Sequence, residues 1–80
     1  MTTGTKQIAI GDFMTRAMLK SASRIVLASK DPGEAVARIA LEVIAPNLEW
    51  INTSLGQEND ARYLAYAVVW AMGEAARASS

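Results

Sequence analysis

The 80-residue chain has no cysteine and no histidine. The first absence excludes disulfides and thiolate metal sites. The second removes the commonest general base and the commonest metal ligand. A domain this short buries only about 60–65% of its unfolded surface, so without such staples its margin is thin. Oligomerisation is the staple left over, and a hydrophobic content of 51% points the same way.

Long apolar runs are also missing. The longest uncharged stretch, which follows Arg62, is about half the ~20 residues needed to span a bilayer. Met1 to Ile10 has neither the basic start nor the long apolar centre of a signal peptide. The expectation is a cytoplasmic protein with no membrane partner. Asn52-Thr53-Ser54 matches a glycosylation sequon, which without a secretion signal reads as chance.

Catalytic chemistry is thinly supplied. There is no phosphate-cradling glycine-rich loop and no serine in a nucleophile-elbow context. Glu58 and Asp60 lack the spaced oxygen ligands of a calcium loop. Neither an enzyme nor a cofactor is expected.

Net charge is zero, but it is unevenly spread. Residues 1–30 hold Lys6, Arg16, Lys20, Arg24 and Lys30 against Asp12, a net of +4. Residues 31–60 hold Asp31, Glu34, Glu42, Glu49, Glu58 and Asp60 against Arg38, a net of −5. Such a dipole can steer a partner or orient two copies, but it says nothing about fold.

The periodicity predicts one all-α domain over residues 1–80. It comprises three main helices, the second broken or kinked at Pro46, behind a short extended or disordered arm at residues 1–11. Within the arm, Lys6 to Ile10 alternates weakly, as a strand would. Gly11-Asp12 reads as a break and an N-cap, starting a helix from about Phe13 to Lys30. Met14, Met18, Ala22, Ile25 and Val26 form its apolar stripe, with Leu19 at the edge and Leu27 out of pattern. Arg16, Lys20 and Arg24 step along the opposite side.

Asp31-Pro32-Gly33-Glu34 combines a cap, a proline suited to the first helical position and a capping-box glutamate. The helix that follows places Val36, Ile39, Ala40, Val43 and Ile44 inward, and Glu34, Arg38 and Glu42 outward as a charge ladder. Pro46 cannot donate to the Glu42 carbonyl and disfavours helical geometry at Ala45. A break or sharp kink is expected, then a helix from Asn47 to Leu55 with Leu48, Ile51 and Leu55 inward and Trp50 at the edge. Gly56 is a good terminator.

After a polar connection, with Asn59 or a neighbour as cap, the last helix spans about Asp60 to Ala78. Ala67, Ala71 and Ala75 form a small-residue ridge along it. Two apolar arcs emerge at about 100° per residue. Leu64, Val68, Ala71, Met72 and Ala75 make a normal core stripe. Tyr63, Tyr66 and Trp70 make a second arc, interleaved with Arg62, Arg77 and Glu74. Aromatic residues mixed with arginine are the composition of interface hot spots. Fully buried, three aromatics correspond to a gross gain on the order of 10 kcal/mol, comparable to the stability of a small domain.

Three covers for that arc are open: the rest of this chain, a second copy, or a different protein. The expected function is a non-catalytic interaction or accessory module. It self-associates as a homodimer through Arg62, Tyr63, Tyr66, Trp70 and Arg77. The alternatives are nucleic-acid binding through Arg16, Lys20 and Arg24, and a small acidic inhibitor that sets Glu34, Glu42, Glu49, Glu58 and Asp60 in a basic groove of a nucleic-acid-handling protein.

Overall fold

The first helix begins three residues later than the sequence suggests, because the chain makes a different turn first. In the computed structural model, which describes residues 10–79, Ile10–Asp12 form a single 3-10 turn. The backbone N–H groups of Phe13 and Met14 both donate to the Ile10 carbonyl, at 3.2 and 2.8 Å. The turn delivers Phe13 and Met14 into the core. Asp12 is used inside it and does not cap. Thr15 takes that role, with an extended backbone and a hydroxyl that accepts from the Met18 N–H at 3.1 Å. Ile10 is therefore half-buried in a turn and not in a strand. The rest of the expected strand, like Met1 to Thr5, lies outside the described residues.

Helix α1 runs Arg16–Ala28. Met18, Ala22 and Ile25 are buried, Leu19 and Val26 lie half-buried at the edge, and Leu27 is exposed. The helix stops short of Lys30 because Ser29 terminates it. The Ser29 hydroxyl donates to the Ile25 carbonyl at 2.6 Å, and its N–H donates to Val26 at 3.2 Å. Only Ser29, Lys30 and Asp31 separate α1 from α2, Pro32–Ile39. As the sequence predicts, Asp31 caps α2, accepting from the Glu34 N–H at 2.8 Å, and Pro32 opens it. Arg38 Nε donates to Glu42 Oε2 at 3.2 Å, one rung of the expected ladder.

The chain bends at Pro46 without stopping. α2 passes into a π turn, Ala40–Ile44, then a 3-10 turn, Ala45–Asn47, then α3, Leu48–Leu55. The Ala45 N–H reaches back five residues to the Ala40 carbonyl. Such widening makes room for a ring that would clash with the carbonyl four residues earlier. Asn47 restores part of the lost bonding, its side-chain amide donating to the Val43 carbonyl at 2.7 Å. The second main helix is thus one joined, bent unit. Along it Val36, Ile39, Ala40, Val43, Ile44 and Ile51 are all buried.

Gly56 ends α3 with φ at +74°, a left-handed conformation that glycine adopts without a Cβ penalty. Its N–H donates to Asn52 and Thr53, and the Gln57 N–H donates to Asn52 at 3.2 Å, a Schellman closure. Asn59 is spent on this connection. Its backbone N–H and side-chain amide both donate to Asn52 Oδ1, at 3.0 and 3.1 Å. The neighbouring Asp60 carbonyl receives the first bond of the next helix, from the Leu64 N–H at 3.1 Å.

That helix, α4, spans Ala61–Ser79 and packs chiefly on α2 and the π turn, with the N-terminal 3-10 turn also against it. Leu64, Ala65 and Val68 are fully buried. Burying a leucine or valine side chain of this kind contributes about 1.5–3 kcal/mol. The burial does not continue to the end of the helix. Ala71, Met72 and Gly73 are half-buried, and every residue from Glu74 to Ala78 is exposed. Ala75, expected in the core stripe, is outside it because α4 runs past the elements that cover it. Ala65, which the stripe omitted, is the buried small residue in its place.

Candidate interaction surface

α4 carries its aromatic residues on the side that the described residues leave open. Tyr63, Tyr66 and Trp70 are 52%, 61% and 55% exposed. By helical geometry their arc is centred roughly opposite the midpoint of Leu64, Ala65 and Val68. Among the described residues nothing buries these rings, so the expected cover by the Pro46–Leu55 segment is not formed there, while the N-terminal arm, the other cover expected from this chain, lies outside the described residues up to residue 9. Exposed large apolar groups are individually normal; three on consecutive turns of one helix form a patch.

Beside the arc runs an open groove of about 690 Å³. One wall is α4, through Arg62, Tyr66, Val69, Trp70, Met72, Gly73, Ala76 and Arg77. The other is the corner where α1 meets α2, through Val26, Ser29, Asp31, Pro32, Gly33, Ala35 and Val36. The groove exists because three residues turn α1 into α2, which holds that corner close to the middle of α4. The structure therefore gathers Arg62, Tyr66, Trp70 and Arg77 of the predicted interface around one groove. Tyr63 lies just outside it on the outer arc.

Charge sits at the rim. Arg77 pairs with Glu74 in the same turn, whereas Arg62 makes no ion pair among the described residues. Asp31 is engaged as the α2 cap. What the arrangement can do chemically is bury aromatic and aliphatic surface while presenting guanidinium groups at two ends.

Elsewhere, Arg16, Lys20 and Arg24 are all exposed on α1 and make no ion pair among the described residues. The acidic residues Glu34, Glu42, Glu49, Glu58 and Asp60 are spread over α2, the π turn, α3 and the connection before α4. Among the described residues no three acidic side chains converge as a metal site, and no polar or charged side chain is buried. No helix there is long and apolar enough to cross a membrane.

The interface predicted from sequence omits the α1–α2 wall and Val69, Gly73 and Ala76. One signal for the last three was present. Arg62, Tyr66, Val69, Gly73 and Ala76 recur at alternating steps of four and three, the spacing of a helix seam. The wall contributed by α1 and α2 has no counterpart in local spacing.

No protein-family model, curated protein or solved structure matches this chain.

Proposed function

We propose that this protein is a non-catalytic interaction module that self-associates through the outer face of α4. The observation that carries the reading is the exposure of Tyr63, Tyr66 and Trp70 on a helix that buries Leu64, Ala65 and Val68 completely on its opposite side. Leaving three aromatics in water forgoes stabilisation that an 80-residue chain without disulfides has few other ways to obtain. A second copy offers the same face and can cover it isologously. The projection of α4 past its own core adds to this, since the exposed residues Glu74 to Ala78 extend the surface. Arg62 and Arg77 form the rim.

The test is solution mass by light scattering after size exclusion, for the wild type beside Tyr66→Glu/Trp70→Glu. The expected result is a wild-type dimer and a folded monomeric variant. A wild type that is monomeric throughout, or a variant that remains dimeric, would count against the reading.

Nucleic-acid binding through α1 is the second reading, favoured by three exposed basic residues at four-residue steps without ion pairs among the described residues. Phosphate contacts require such clustered charge and weaken steeply with salt. Labelled duplex and single strands titrated at low salt would bind the wild type and not Arg16→Glu/Lys20→Glu. Equal binding by both proteins would remove α1 as the contact.

A further inference from the structure

We infer that a second copy lies antiparallel along the outer face of α4, with the two-fold axis at Trp70. This rests on the self-association proposed above. It adds an orientation, a register and the groups that each copy supplies to the other.

Tyr63, Tyr66, Trp70, Gly73 and Arg77 recur at steps of three, four, three and four residues. On a helix that spacing draws one seam, the pattern by which helices pair. Two identical helices can share the seam in two directions. Laid parallel, Arg77 meets Arg77 and Glu74 meets Glu74, both like-charge contacts that disfavour association. Laid antiparallel about Trp70, the residue seven places before it meets the residue seven places after it in the other copy. Tyr63 then faces Arg77, and Tyr66, four places before, faces Glu74, four places after. A guanidinium over a tyrosine ring is a favourable cation–π contact, and a tyrosine hydroxyl can donate to a carboxylate. Trp70 meets Trp70, where offset aromatic packing is favourable. No like charges are directly opposed: Arg62 faces Ala78, one residue past Arg77 of the other copy.

Size agrees with charge. Gly73 leaves a notch in the seam between Trp70 and Arg77. Among the described residues the nearest atom to a Cβ built there is Arg77 Nη1, at 4.0 Å, so their side chains leave room above it. In the antiparallel register Ala67 of the second copy comes level with Gly73, and Tyr66, opposite Glu74, lies beside the notch. The Glu74–Arg77 ion pair keeps both groups on the same turn, each with bonding capacity left for the facing tyrosine.

Area sets the strength. Half-exposed aromatics can give up on the order of 100 Å² each, about 300 Å² per copy. Standard interfaces need about 800 Å² per partner, so even with Arg62, Glu74, Arg77 and the groove edge this dimer falls at the low end of the size range.

The absence of cysteine makes the register directly measurable. Differently tagged Tyr63→Cys and Arg77→Cys chains are mixed and treated with a short bis-maleimide, beside Trp70→Cys alone. The mixed 63–77 product and the 70–70 product should dominate. Gly73→Leu is the companion variant, since it fills the notch and leaves every other seam side chain in place. It should fold as judged by circular dichroism, with a dimer dissociation constant raised roughly tenfold or more. Dominant 63–63 and 77–77 products would overturn the register while leaving self-association standing. So would an unweakened Gly73→Leu dimer, or no cross-link at these positions in a dimeric protein. A wild type that stays monomeric would instead remove self-association itself, and the register with it.

Discussion

Leu64, Ala65 and Val68 on one side of α4 lose all exposure, while Tyr63, Tyr66 and Trp70 on the other keep more than half of theirs. Both sets are apolar and both repeat at helical spacing. The difference lies in what the chain can bring to each side. The bent α2–α3 unit and α1 supply Ile39, Ile44, Ile51 and Ile25 to one face, and the N-terminal turn adds Phe13. Among the described residues nothing comparable reaches the other. Hydrophobic periodicity identifies a face that needs cover; the number and length of the remaining elements decide whether the same chain provides it.

The sharpest way to break this comparison is to truncate one residue on each face. Leu64→Ala should lower the unfolding free energy by about 2–5 kcal/mol, the usual cost of a buried leucine cavity. Tyr66→Ala, measured by denaturant unfolding at a concentration where the chain is monomeric, should change it by about 0.5 kcal/mol or less. Comparable losses at both sites would mean that the two faces are equally internal.

A smaller effect tests how the covered face is assembled. Thr15→Ala should cost about 1 kcal/mol through loss of the α1 cap, and Asp31→Ala a similar amount at α2. Asp12→Ala should cost distinctly less, because Asp12 sits within the 3-10 turn and accepts no capping bond, a role Thr15 fills. If thermal unfolding ranks Asp12 above Thr15, the start of α1 is wrongly assigned.

Smaller again, and of opposite sign, is Gly73→Ala. Glycine in a helix interior costs roughly 0.8–1 kcal/mol relative to alanine, and the open space above Gly73 accepts a methyl group. The monomer should gain up to that amount. A loss would show that this part of α4 is covered after all. The least consequential change is at the Arg38–Glu42 pair, whose side chains are half-exposed. A double-mutant cycle there should return roughly 0.3–0.5 kcal/mol.

Much of this fold is legible in the sequence for local reasons. Asp31 with Pro32, and Gly56, each act through bonds to residues a few places away, so their roles can be read from neighbours alone. The inward positions of the second helix, Val36 through Ile44, follow from periodicity, and the bend survives as the kinked alternative at Pro46. The start of α1 was less legible. Asp12 and Thr15 are both acceptable caps, and the choice is made by burying Phe13 and Met14, a tertiary gain that local propensity does not contain. Asn59 misled for a related reason, since its side chain bonds to Asn52, seven residues earlier. On α4 the aromatic arc was visible but its exposure was not. The far wall of the groove, formed by Pro32 and Val26, depends on how tightly α1 turns into α2.

The central claim is that the outer face of α4 is covered by a second copy. Its most direct test is the thermal unfolding midpoint across protein concentrations from roughly 1 µM to 1 mM, a range that brackets weak to moderate dimers. Because association stabilises only the folded form, the wild-type midpoint should rise steadily with concentration. Tyr66→Glu/Trp70→Glu should give a flat line near the low-concentration value. A wild-type midpoint that is independent of concentration, together with a monomeric mass, would contradict the account.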